Sequence, residues 1–201
     1  MAKKTDIESV VSLKPISVAH ATITIEGISP LIQHKWSEKA LREMREKHAG
    51  KKTKNRDVRD PIAEAEASTY LTPDGKHGIP LLAMKASFIG AAHKDLGVEK
   101  TLVRKGLFIK SPDPSGIIPM RCDNPSIRED YVRVGMGGTD LRYRPQFDHW
   151  EIDIPIEFDT DLLQLTDICN LIDRAGFGVG IGEWRPERGG EFGRYRVKRA
   201  D

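Results

Sequence analysis

The chain has 201 residues, 38% of them apolar and 31% charged, with a formal net charge of +2 at pH 7. That length suits one domain with room for an insertion, and the near balance of acids and bases makes local patches, not net charge, the guide to binding. No apolar run nears the ~20 residues of a transmembrane helix, the first residues lack a signal-peptide hydrophobic segment, and Cys122 and Cys169 lack CxxC spacing, so the composition predicts a cytoplasmic protein without membrane, metal or cofactor.

Residues 1–15 are polar and end at Pro15; they read as a mobile arm, free to lie on a neighbouring subunit. Residues 16–27 alternate as a strand, with a shift around Ala19–His20 that admits a bulge. Ser37 is a good N-cap for a helix in which only Leu41 and Met44 form an apolar stripe. Residues 50–60 have no apolar periodicity beyond Val58 and read as a flexible basic loop, and Pro61 opens a second helix. Asp74-Gly75 centres a turn between two short strands. Residues 81–96 form a helix with Leu81, Met84, Phe88, Ala91 and Ala92 on one face and Gly97 at its end. Strands are expected at 101–110, 116–121, 129–134 and 139–145. Residues 147–158 alternate cleanly, but Pro155 argues for an edge or a local break. Asp159 or Thr160 caps a helix over 161–175, Gly176 ends it, and short strands at 177–181 and 193–198 close the chain.

The most informative stretch is 176–197, GFGVGIGEWRPERGGEFGRYRV. Its glycines permit positive φ and close backbone approach. Its arginines suit phosphate or carboxylate, and its aromatics suit stacking on unpaired bases. It follows a helix, so it is not a Rossmann loop, and it lacks the Gly-Lys-Ser/Thr ending of a P-loop. A Gly-rich hairpin that merely closes a sheet, with Trp184 packed, is the alternative reading. Arginines and an aromatic mingle a second time around Arg142, Tyr143 and Arg144, where a charged edge hairpin is the alternative.

The order of these elements is β-α-β-β-α-β. It predicts an α+β chain with a ferredoxin-like (RRM-like) core, a helical basic insertion and a C-terminal Gly-rich loop. Residues 1–201 are then one domain, 36–80 a helical thumb-like insertion and 129–145 a hairpin insertion. The Gly-rich loop after the second helix, and the first strand followed by SPLI, resemble the RAMP superfamily of RNA-binding proteins in CRISPR effector complexes. The basic insertion is similar to the thumb of their backbone subunits. The segments VRVG, DLRYR and GEWRPE…FG also resemble a family of phage and prophage proteins. No catalytic residue of the RNA-cleaving members can be placed, so no enzyme activity is expected.

The resemblance and the residue types together imply a single-stranded DNA- or RNA-binding protein that forms homo-oligomers, as a ring or helical filament. Arg185, Arg188, Arg194 and Arg196 would contact phosphates, and Trp184, Phe192 or Tyr195 would stack on bases. Lys51, Lys52, Lys54, Arg56 and Arg59 would close over the strand, and Arg142 and Arg144 would extend the track. Two other readings stay open. One is a phage structural protein whose arginines pair with Glu183, Glu187 and Glu191. The other is metal-assisted hydrolysis by Asp140, His34, His149 and Glu183, which no spacing supports.

Overall fold

The computed structural model describes residues 13–36, 38–50, 59–93, 97–111, 113–134 and 138–199. In chain order the elements are β1 (Val18–Gly27), β2 (Leu31–Ile32), α1 (Glu38–His48), α2 (Pro61–Ala67), β3 (Gly78–Pro80), α3 (Leu81–Ala91) and α4 (Lys100–Gly106). They continue with β4 (Leu107–Ile109), β5 (Ile117–Cys122), β6 (Ser126–Val134), β7 (Gly138–Phe147), β8 (Trp150–Asp159), α5 (Leu165–Gly178) and β9 (Tyr195–Val197). The chain is α+β with two antiparallel sheets. The larger runs β3-β5-β8-β1-β9, with β4 also on β8, and the smaller runs β2-β7-β6.

β8 and β1 form the spine of the larger sheet. Their register runs unbroken from Val18 opposite Asp159 to Glu26 opposite Glu151, so there is no bulge at Ala19–His20. Alternation sends Ile152, Ile154, Ile156 and Phe158, with Ile23 and Ile25, to one face. There they pack with Met84 and Phe88 of α3, Val103 of α4, and Ile168, Leu171 and Ile172 of α5 in one core. Each such buried side chain contributes about 1.5–3 kcal/mol of transfer free energy, which is what holds helices to sheet.

Pro155 lies in the middle of this sheet, and the strand beside it breaks as the residue demands. Toward that side β8 pairs with β5 through Trp150–Ile152 and with β4 through Ile156–Phe158. Pro155 falls between the two, where its missing N–H leaves no ladder bond to make, and its carbonyl accepts from Lys110 N–H at 2.8 Å.

The opposite face of the sheet is open and ionic. Arg121 binds Glu151 at 3.1 Å and also Asp153, Lys198 binds Glu151, Arg196 meets Glu26 at 2.6 Å and Lys110 meets Glu157 at 2.5 Å. Hydrogen bonds from Lys198, Arg121 and Lys110 hold Glu151, Asp153 and Glu157, respectively, below the usual carboxylate range.

Four expectations change. Residues 100–106 are helical, and only 107–109 form a strand. α3 ends at Ala91, before the expected 96. α5 starts at Leu165 behind Gln164 instead of behind Asp159 or Thr160, and it runs through Gly176 to Gly178. Gly176 lies inside the helix, and the position demands glycine because Tyr195 crosses there: a Cβ would land inside the Tyr195 carbonyl. Residues 177–181 therefore end a helix and begin a loop, with no strand.

The segment 36–80 holds α1 and α2. Asp60 caps α2 through Ile62 N–H at 3.0 Å and Ala63 N–H at 3.2 Å, with Pro61 at its first position. The hairpin β6–β7 pairs Ser126 with Gln146 through to Val134 with Gly138.

Candidate nucleic-acid interface

The Gly-rich loop, residues 179–194, is fastened by its backbone to residues 28–32, the connection from β1 into β2. Glu183 N–H donates to Ile32 O at 2.9 Å and Gly193 N–H to Pro30 O at 2.8 Å, which ties the loop to the entry and body of β2. Inside it, Ile181 N–H donates to Gly193 O at 3.0 Å and Phe192 N–H to Trp184 O at 3.1 Å, around a 3-10 turn at Pro186–Arg188. Gly193 has φ +65° and faces the Ile181 carbonyl with no room for a Cβ. Gly190 sits equally tight against the Trp184 carbonyl. These glycines serve the loop's own winding, not the approach of a phosphate.

One non-glycine residue shares the left-handed region. Trp184 has φ 53°, a conformation that costs a bulky residue about 1–3 kcal/mol, and its side chain stays 42% exposed. Arg188, four residues on, is exposed and has no side-chain partner among the described residues.

The other arginines of the loop are occupied. Arg185 binds Glu187 at 2.8 Å and donates to Gly182 O at 3.1 Å. Arg194 lies 5.3 Å over the Phe177 ring and 3.7 Å from Glu191. Arg196 projects from the ionic face of the large sheet, paired with Glu26. Two expected contact residues are interior. Tyr195 is buried, with its hydroxyl 2.7 Å from that of Ser87, and burial pushes its pKa up, so it cannot stack on a base. Arg144 is 2% exposed and pairs with Asp130 at 3.1 Å, so it is no part of a surface track. Phe192 is half-buried beneath the Arg128 guanidinium, 4.8 Å from its ring centre.

Arg59 stands at the start of α2, where it binds Asp140 at 2.6 Å and the Leu141 carbonyl. Arg142 reaches the same Asp140 at 3.7 Å. Arg59 therefore holds the start of α2 to β7, while Arg142 is paired within β7 itself. Lys51, Lys52, Lys54 and Arg56 lie outside the described residues.

Glu183, the chain neighbour of Trp184, belongs to a polar cluster. His34 lies 3.3 Å from Glu183, and that hydrogen bond, with the charges of Arg144, His34 and Arg185, holds the Glu183 carboxyl below its ordinary range against the effect of burial. Burial, with the Glu183 charge beside it, pushes the Tyr70 hydroxyl up. His34 and Glu183 are the only touching pair of the hydrolytic alternative. Asp140 is held by arginines, and His149 lies in the β7–β8 turn. Among the described residues no group of three or more His, Cys, Asp or Glu is placed to hold a metal ion.

One contributor, Arg128, which fastens the loop to β6 through Phe192, escaped the sequence reading of the site. Trp36, two residues beyond His34, is a further exposed aromatic, at 51%. Trp36 was signalled by its place at the exit of the PLIQHKW segment; Arg128 carried no signal, because its partner is 64 residues away. Among the described residues no helix is long and apolar enough to cross a membrane. Comparison with models of known protein families and with curated proteins gave no match.

Proposed function

We propose that this chain is a non-catalytic, cytoplasmic protein that binds single-stranded DNA or RNA and oligomerises along it, with Trp184 and Arg188 as the contact pair. The observation that carries this reading is Trp184 itself. A large indole is held half-exposed on a strained backbone, on a loop whose other arginines and tyrosine are engaged within the protein. Residues held in costly conformations concentrate where function demands them. The basic stretch from 47 to 59 supplies a second source of positive charge.

The core is read as ferredoxin-like, elaborated by extra strands. The run β5-β8-β1-β9, with α3 and α5, supports this, and β3 outside β5 and β4 on β8 are the additions. A Gly-rich loop directly after α5 supports the RAMP-like resemblance, and a phage origin belongs to the same proposal.

The test is fluorescence anisotropy with labelled single-stranded DNA and RNA across a salt series. Binding is expected at ~50 mM salt and should weaken as salt rises. Trp184→Ala should lower affinity by roughly tenfold, the worth of one base–aromatic stack. Arg188→Ala should flatten the salt dependence, its slope falling by about 0.7 for each phosphate that the arginine neutralises in the wild type. Absence of binding at low salt by folded protein would sink the proposal. Continued self-assembly without binding would favour the rival reading of an assembly protein, to which the Arg185–Glu187 and Arg194–Glu191 pairs lend support.

A further inference from the structure

β6 is the outer strand of the smaller sheet and is nine residues long, bonded to β7 on one side only. Pro145 reveals which of its backbone groups are left over. Gln33 N–H donates to Pro145 O at 3.2 Å, so odd-numbered residues of β7 turn their polar groups to β2 and even-numbered ones to β6. The register sets Arg128 opposite Arg144 and Asp130 opposite Arg142. Even residues of β6 therefore bond to β7, and the N–H and C=O of Ile127, Glu129, Tyr131 and Arg133 point away from the sheet. Among the described residues these groups have no backbone partner.

Long open edges are commonly blunted by like charges, proline or a bulge. The side chains here follow another pattern. Glu129 and Arg133 are exposed and make no ion pair among the described residues, and between them stands Tyr131, 74% exposed. The strand thus reads acid, aromatic, base at alternate positions on one face, a sequence complementary to its own reverse.

We propose that β6 pairs antiparallel with β6 of a second copy of this chain, about a two-fold axis through Tyr131. In that register Glu129 lies opposite Arg133 of the second copy, Arg133 opposite its Glu129, and the two tyrosines face each other. All three are hydrogen-bonded positions, so the free N–H and C=O groups of both edges are satisfied together. Neighbouring registers do worse. Centring the axis on Glu129 or on Asp130 sets identical carboxylates face to face, and centring it on Val132 pairs none of the exposed charges. The contact is isologous, the same surface on each partner, and it does not depend on nucleic acid.

Sedimentation velocity of the full chain over a dilution series, without nucleic acid, tests the pairing. The wild-type protein should dimerise. Glu129→Arg alone and Arg133→Glu alone each turn two attractive pairs into two repulsive ones and should weaken dimerisation by roughly tenfold or more. An equimolar mixture of these two variants restores both charge pairs across the axis and should dimerise as the wild type does. Tyr131→Pro removes an outward N–H without touching the β7 ladder and should also dissociate the dimer. A wild-type protein that is monomeric at every concentration overturns the proposal. So does a dimer indifferent to both charge changes, or a mixture that recovers no affinity.

Discussion

Residue type and residue position part company most clearly at Tyr195 and Arg196. Both belong to the aromatic and basic inventory that marks stretch 176–197 in the sequence, yet alternation along β9 turns the tyrosine into the core and the arginine to the ionic face. Arg144 is misread for the same reason, because β7 places it on the face it shares with Asp130. Which face a residue occupies depends on the pairing of strands distant in sequence, and composition does not contain it. The glycines lead to a sharper expectation. Gly193 and Gly189 both have positive φ, but only Gly193 is walled in by backbone, whereas a Cβ on Gly189 meets nothing within 4 Å. Gly189→Ala should cost about 1 kcal/mol, the left-handed penalty alone, and Gly193→Ala about 3 kcal/mol or more, as urea unfolding would measure. Equal losses at the two sites would show that the tight winding of the loop contributes nothing.

At the level of elements, β8 and α5 were legible because their apolar residues recur at one period over a long stretch. α4 and β4 were not, since a run such as TLVRKGLFIK satisfies helix and strand alike. Tertiary contacts decided the matter. Lys85 of α3 donates to the Val103 carbonyl at 2.7 Å and to that of Leu107, where the helix gives way to the strand, and it lies 5.2 Å over the Phe108 ring. Burial brings the Lys85 ammonium down to about 8 from its usual 10.5. Between those two pH values the unfolded chain keeps a proton that the folded chain has released. The contribution of Lys85 to stability therefore rises with pH across that window, and below pH 8 the full cost of burying the charge is present. Burial raises the thiols of Cys122 and Cys169, whose effect on stability has the opposite sign. Lys85 is accordingly isolated as a difference: the wild type should gain stability on Lys85→Met as pH rises from 8 toward 10.5. A constant difference would mean that Lys85 keeps its proton throughout.

For the molecule as a whole, the open face of the large sheet excludes one way of binding nucleic acid. RRM domains stack bases on aromatics of that face. Here Glu26, Glu151, Asp153 and Glu157 occupy it with their cations, so a polyanion would meet four carboxylates. On the proposed reading, a single strand would be left the Gly-rich loop. The two-fold contact at β6 closes on itself, so a filament would need a second, head-to-tail contact besides it.

The same loop has a bearing on the order in which the chain folds. Its anchors join Arg194 to Ile28 and Ser29, Gly193 to Pro30 and Glu183 to Ile32, all of them across most of the chain, and they exist only once β2 and α5 are both in place. Contacts that close such long stretches of chain late contribute little to the folding transition state. Destabilisation there should appear on the unfolding limb. Stopped-flow measurements on Gly193→Ala should show unfolding faster by roughly tenfold or more, with the refolding rate nearly unchanged. A slowed refolding rate would place the loop in the nucleus. By this argument the loop is the latch of the fold: the last part to fasten, and the part whose release sets the lifetime of the native state.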